Sequence, residues 1–527
     1  MSKIQVYDTT LRDGSQMEGI SFSVEDKVKI ARRLDAFGMD FIEGGWPGAA
    51  PKDTEFFARM KGVSLRGAKL VAFGSTRRPH TRCEDDPMLG HLLDADTPVV
   101  TFVGKSWDFQ VRDALRVSLD ENLSMIRDTV RHLKAAGREA IFDAEHFFDG
   151  YKDNPEYALA TLQAAVDAGV DVLVLCDTNG GTLPHEVAEI VGAVVARFPD
   201  TVVGMHPHND GDCGTANALA AVRAGARHVQ GTVNGYGERT GNADLIPVIA
   251  ALRLKMGYDC LNDAAMHDLT SLSTYVDEVA NRTPNPQAAY VGKLAFTHKA
   301  GLHIDAIMKA DGRAYEHVNP ALVGNLRRLL VSEHSGGSTI AQKAADMGYT
   351  IDKKSPEARA VLSEVTEREH QGYAFESAEA SFELLLKKAT GRYRKLFDLL
   401  SFRVLVEKRA GDREAITEAT LRLRVGDEEF LTVAEGDGPV HALDGALRAG
   451  LSRFYPQLNA LRLTDFKVRV VTAGEGTAAK VRTIVETTAD HGESWSTVGV
   501  STNIIEASWQ AIVDAVEYGL LREPLAK

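Results

Sequence analysis

The chain is poor in cysteine. It has four in 527 residues, Cys83, Cys176, Cys213 and Cys260, far apart and with no C-x-x-C pair. That spacing excludes a disulfide framework and a zinc knuckle. Positive charge is also short, and the formal net charge is −14. A general nucleic-acid binder needs a basic face, so that class is set aside; an anionic small substrate needs only local positive charge. No apolar run approaches membrane-spanning length, so no membrane partner is expected. The first residues enter a strand at once without a signal-peptide core, and a cytoplasmic location is the expectation.

What is present is a hydrophobic share of 44%, ample for a large core, in a length that suits two or three domains. Apolar strand-like runs recur at 4–7, 41–42, 70–73, 99–103, 140–142, 172–175, 202–205 and 228–233. Between them lie helical patterns at 24–37, 53–61, 85–93, 118–136, 155–168, 184–197, 215–224 and 244–256. Ser23 can cap the first helix, and Ser118 with Glu121 forms a capping box for the fourth. Eight alternating units over about 260 residues predict a (β/α)8 TIM barrel rather than an open doubly wound sheet.

In such a barrel the chemistry sits at the C-terminal strand ends. Those ends carry Asp8 to Asp13, Glu43, Glu145, Asp177 with Thr178, His206 with His208, and Asn234. Residues i and i+2 of a strand share a side, so His206 and His208 leave the seventh strand together, spaced to share a metal ion. Alone, the pair reads rather as two polar histidines in a turn; the carboxylates at equivalent points of neighbouring strands reverse that reading. Asp13 adds a carboxylate oxygen to the two nitrogens and leaves coordination positions open. Open positions suit a bidentate 2-oxo acid, with Arg12 beside the keto oxygen to stabilise developing charge. Glu145 can hold substrate or orient a histidine base, and Asp143 could take its place; His146 reads as surface. The Thr178 hydroxyl suits a substrate carboxylate. The glycine-rich loop from Gly235 to Asn242 lacks dinucleotide spacing. It reads either as a place where backbone nears a ligand or as a tight turn. Asn242, which closes it, is assigned to substrate binding with Arg12 and Thr178.

Three motifs in this order carry a resemblance. Asp-Thr-Thr-Leu-Arg-Asp-Gly from Asp8, His-Pro-His-Asn-Asp from His206 and Gly-Tyr-Gly-Glu-Arg-Thr-Gly-Asn from Gly235 resemble the isopropylmalate, homocitrate and citramalate synthase family. The likeness runs over nearly the whole chain, and residues 142–150 are most similar to the citramalate branch. The resemblance implies a divalent metal (manganese, magnesium or zinc) on Asp13, His206 and His208, with acetyl-CoA as co-substrate. It implies a Claisen-type condensation with pyruvate, then thioester hydrolysis, giving (R)-citramalate and CoA in isoleucine biosynthesis. A longer acceptor, 2-oxoisovalerate or 2-oxoglutarate, is the near alternative. The family histidine matching His303 reaches over the barrel mouth of a partner subunit to take a methyl proton of acetyl-CoA, supported by Glu145 and Tyr315. Composition does not separate His298 from His303, and Tyr315 reads equally as a packed aromatic.

Residues 263–394 read as linker subdomains after a catalytic domain at 1–262. The loop 332–338 suits either an anion or a plain N-cap. From 395 the pattern turns to alternation, and an internal repeat appears. Thr432-Val433 precedes Pro439-Val440-x-Ala442-x-x-x-Ala446; Thr497-Val498 precedes Ile504-Ile505-x-Ala507-x-x-x-Ala511, 65 residues later. Each half reads as three strands and a helix, an α+β domain at 395–527 suited to dimerisation. It resembles the family's regulatory domain, which implies a homodimer or higher homo-oligomer with isoleucine as effector; a purely structural dimerisation module is the alternative. The tail argues against a lyase running the reverse reaction, which lacks such a domain in this family's relatives. The intact Arg12, Asp13, Glu145, His206 and His208 set argues against a non-catalytic amino-acid sensor.

Overall fold

Eight parallel strands close on themselves in the computed structural model, which describes residues 3–310, 312–331, 336–408, 410, 414–472 and 476–522. They are β1 (Gln5–Asp8), β2 (Phe41–Gly45), β3 (Lys69–Ser75), β4 (Val99–Lys105), β5 (Glu139–Glu145), β6 (Val172–Asp177), β7 (Val202–Pro207) and β8 (His228–Gly231). Their order follows the sequence, and β8 pairs back onto β1 with Asp8 opposite Gly231. Outside run α1 (Val24–Phe37), α2 (Pro51–Met60), α3 (Pro87–Asp94), α4 (Leu119–Ala135), α5 (Phe147–Asp153), α6 (Pro155–Asp167), α7 (Pro184–Arg197), α8 (Gly214–Arg223) and α9 (Leu245–Leu254). The expected TIM barrel is therefore present, with two additions. One is α5, which buries Phe147 and Phe148; the other is a π-helical turn at Gln110–Leu115.

Local chemistry sets the helix ends. Ser23 and Asp26 form a reciprocal capping box on α1, and Gly38 ends the helix in the left-handed region. At α4 only half the expected box forms. Ser118 accepts from the Glu121 amide at 3.1 Å, but the Glu121 carboxylate turns to Arg77 and to the His80 amide. The Arg77 guanidinium and the His80 amide together take that carboxylate from the Ser118 N–H.

Tyr7, Phe41, Val71, Val99, Ile141, Val172, Val174 and Cys176 form one inner cluster, and a larger apolar layer joins strands to helices. Each fully buried Phe contributes about 1.5–3 kcal/mol. A half-exposed ion pair such as Lys69–Glu139 contributes about 0–1 kcal/mol, so packing rather than surface charge holds the barrel.

The barrel's compact unit extends through Phe296 and takes in His317–Arg327, so it differs from the expected boundary at 262. The reason is apolar. Leu269, Leu272 and Val276 of α11 (Leu269–Val279), which follows α10 (Asp263–His267), join the barrel core, and Arg33 of α1 forks onto Asp268.

The second unit comprises Thr297–Glu316 and the chain from Arg328. It holds short paired strands β9 (Thr297–His298) and β10 (Arg328–Leu329), with helices α12 (Gly301–Ala310), α13 (Gly337–Asp346), α14 (Pro356–Gln371) and α15 (Glu379–Ala389). Residues 332–335 of the loop at 332–338 lie outside the described residues; α13 starts on Gly337, capped by Gly336. Then come β11 (Asp398–Glu407), β12 (Ile416–Val425), β13 (Glu428–Gly436) and α16 (Pro439–Leu451). The same pattern returns as β14 (Leu461–Val470), β15 (Val481–Ala489), β16 (Ser494–Ser501) and α17 (Ile504–Leu521). Each half is an antiparallel three-stranded sheet with its helix, as the repeat predicts. The repeat extends to one hydrogen bond. Thr432 donates to the Ala446 carbonyl at 2.9 Å, and Thr497 to the Ala511 carbonyl at 2.7 Å. Among the described residues no helix is long and apolar enough to cross a membrane.

Asp8 closes β1 wholly buried, accepting from the Thr10 amide at 3.0 Å and its hydroxyl at 2.9 Å. Burial pushes its carboxyl up to about 7. A raised carboxyl favours the protonated fold, so this group's stabilisation is lost as pH rises from the ordinary value toward 7. The slope is up to about 1.4 kcal/mol per pH unit. Urea unfolding at pH 5 and pH 8 should show a smaller loss for Asp8→Asn than for the natural chain; equal losses would contradict this titration.

Candidate metal and active site

The turn after β1 delivers Arg12 and Asp13 into the barrel mouth. The Arg12 guanidinium forks onto Asp13, Nη2 donating to Oδ2 at 2.8 Å and Nη1 to Oδ1, and its Nε donates to Glu43. Its flat face lies 3.7 Å from the Phe73 ring centre. Glu43, wholly buried at β2, also accepts from Thr9 Oγ1 at 2.6 Å and from the Tyr7 hydroxyl. Burial opposes the Arg12 charge, but Asp13 and Glu43 more than restore it, and the guanidinium is held charged. Burial likewise works to raise the Asp13 carboxyl; Arg12, then His206 and His208, outweigh it and hold it below the usual range. Burial, then Glu43, pushes the Tyr7 phenol well up, so it remains a donor.

β7 brings His206 to the same place. His206 Nε2 is 3.4 Å from Asp13 Oδ2 and 3.1 Å from Asn242 Nδ2, while its Nδ1 is 2.7 Å from Gln230 Oε1. The His208 ring lies 5.4 Å from that of His206, centre to centre. Burial, then His206, pulls the His208 imidazole down to about 4, so it is neutral at physiological pH and able to offer a lone pair. Among the described residues, His208 Nδ1 and Asn242 Oδ1 are buried without a hydrogen-bond partner. Buried polar atoms are rarely left so, and two beside a carboxylate and a second imidazole fit a divalent cation. Asp13, His206 and His208 are its candidate holders, with the Asn242 carbonyl a fourth that sequence reading gave to substrate. They are not gathered into a ready coordination shell among the described residues, and Arg12 occupies both oxygens of Asp13.

The glycine-rich loop serves Asn242. At Gly237, with φ of 155°, a Cβ would stand 2.1 Å from Asn242 Oδ1. Arg239 ties the loop down through Asp210 at 2.7 Å and the Thr178 carbonyl at 2.8 Å.

Glu145 and Asp143, two residues apart on β5, do different things. Glu145 lies at the mouth, paired with Lys105 of β4 at 2.5 Å. Asp143 is buried, accepts from Gln230 Nε2 at 3.1 Å, and has its carboxyl pushed well up by burial and then by Glu43. His146, expected at the surface, is buried in a left-handed turn against Trp107. Its amide donates to Thr178 Oγ1 at 2.8 Å, which leaves the threonine its own proton to donate. Asn234 turns away from the mouth and bonds the Ser273 carbonyl and Asp277, so its role is structural. His303 and Tyr315 belong to the other unit, both exposed, with rings stacked 4.0 Å apart at 23°. His298, indistinguishable from His303 by composition, is 3.4 Å from Glu316. Sequence reading noted Glu43 only as a strand end and did not single out Gln230 or Lys105. The signal for Gln230 is its phase, two residues along β8 from His228.

Comparison with known proteins matches residues 3–276 to the HMGL-like family, 290–371 to the homocitrate synthase post-HMGL domain-like family and 376–520 to the LeuA allosteric (dimerisation) domain. The (R)-citramalate synthase of Aquifex aeolicus is 52% identical over 521 residues, covering 99% of this chain and 98% of that one. That of Geobacter sulfurreducens is 51% identical over 520 residues, covering 99% and 98%. The 2-isopropylmalate synthase of Heliobacterium modesticaldum is 29% identical over 525 residues, covering 98% and 97%.

Glu43→Gln removes the charge that faces Arg12 and leaves one amide oxygen for three donors. Urea unfolding should show a loss of about 3 kcal/mol, the scale of a broken buried ion pair. An unchanged midpoint would contradict the pairing.

Proposed function

The chain belongs to the citramalate synthase family, and we propose on that basis that it condenses acetyl-CoA with pyruvate to give (R)-citramalate and CoA. The observation that carries the reading is the convergence of Arg12, Asp13, His206 and Asn242 at the mouth of a barrel whose relatives at half identity are citramalate synthases. The lower identity to a 2-isopropylmalate synthase supports pyruvate over a longer acceptor.

Asp13, His206 and His208 would hold a divalent cation, which would supply Lewis-acid polarisation of the keto carbonyl. Arg12 lies beside that oxygen and takes the negative charge that develops as the carbon is attacked. Thr178 donates its free proton to the substrate carboxylate, and Asn242 helps hold the acid. In a pair of copies, His303 of one takes a methyl proton from acetyl-CoA at the barrel mouth of the other, where Glu145 lies, with Tyr315 supporting it. Water then cleaves the thioester, and loss of CoA makes the reaction irreversible. The duplicated tail joins two copies and binds isoleucine, the end product of the pathway this acid feeds in the cytoplasm.

CoA release with pyruvate, 2-oxoisovalerate and 2-oxoglutarate, with and without isoleucine, tests the assignment. The highest kcat/KM should fall on pyruvate and isoleucine should inhibit; a preference for 2-oxoisovalerate would move the chain to the leucine branch. Asp13→Ala should abolish turnover and weaken manganese binding, and full activity in metal-free buffer would refute the ligand role.

A further inference from the structure

Gln230 is wholly buried inside the barrel, and its side-chain amide is fully engaged. Its Nε2 lies 3.1 Å from Asp143 Oδ1 and 3.4 Å from His228 Nε2. His228 is free to accept there, because its Nδ1 faces the side-chain Oε1 of Gln5 at 3.2 Å and carries the ring proton. Burial keeps that ring neutral, pulled down to about 3. Both amide hydrogens of Gln230 are thus directed away from His206. The carbonyl oxygen is left facing His206 Nδ1 at 2.7 Å. A carbonyl oxygen can only accept, so Nδ1 bears a proton, and in the neutral ring that a metal ligand must be it is Nε2 that holds the lone pair.

We propose that Gln230 is a positioning residue: held by Asp143 and His228, it locks His206 in the Nδ1–H form and aims the Nε2 lone pair toward Asp13 and Asn242. This rests on the cation site proposed above. Partners behind a ligating histidine fix its tautomer and ring orientation, and losing one typically costs about 10–100-fold in metal affinity.

The test is manganese binding to the metal-stripped, full-length protein, read from the electron paramagnetic resonance of free manganese. Gln230→Met keeps the shape and loses the acceptor; its Kd should rise by about 10–100-fold. Gln230→Glu restores an acceptor toward Nδ1 and should bind close to the natural chain. A mere packing role predicts the reverse order, since glutamate brings charge beside Asp143. Gln230→Met binding as tightly as the natural chain overturns the inference and leaves the cation site standing. A natural chain that binds no manganese overturns both. If Gln230→Met does not fold, Asp143→Leu should bind manganese more weakly than Asp143→Asn, which keeps an acceptor oxygen; equal affinity in that pair also overturns it.

Discussion

The barrel mouth is organised around one buried guanidinium. Arg12 sits between two carboxylates, Asp13 and Glu43, with its face on Phe73. Removing ions from water costs several kcal/mol each, and only close pairing offsets that. Two carboxylates against one guanidinium still leave an excess negative charge in a closed, low-dielectric space. That excess is what a divalent cation beside His206 and His208 would balance. It also helps push the neighbouring Asp143 carboxyl up, so that this acid takes its place in the core without adding a further charge.

The fold supplies this arrangement through phase. Parallel strands point alternate residues inward, and one side of the barrel collects Asp13, Glu43, Asp143, His206 and Gln230. The loops then hold those groups in place. Asp8 pins the turn that carries Arg12, Lys27 reaches the Gly44 carbonyl at 3.1 Å behind Glu43, and Gly237 clears room for Asn242. In the second unit, duplication has kept the sheet-to-helix hydrogen bond of Thr432 and Thr497 while the two helices diverged. The helix of the second half, α17, is joined to α15 by Ser381 with Asp514 and by Tyr518 with Glu383.

Much of this was legible in the sequence. Apolar runs and helical faces gave eight units in order, and the His-x-His spacing put two imidazoles at one strand end. The repeat at a fixed offset gave two strand-and-helix halves. What was not legible depends on partners remote in sequence. Glu121 looks like half a capping box until Arg77 is seen beside it. Asn242, read from the sequence as a substrate contact, has its amide against His206. Gln230 looks like an ordinary polar residue in a short strand. The boundary at 262 differed because helix α11 carries an apolar face whose partner, α1, lies far back in the chain.

The most direct test of this account is a crystal of the zinc-loaded protein with diffraction recorded across the zinc absorption edge. The account predicts one anomalous peak in the barrel mouth, about 2.0–2.2 Å from an Asp13 oxygen and from imidazole nitrogens of His206 and His208. It also predicts that Arg12 gives up part of its hold on Asp13. A peak held by other residues, or an Arg12–Asp13 fork intact with no metal beside it, would contradict it.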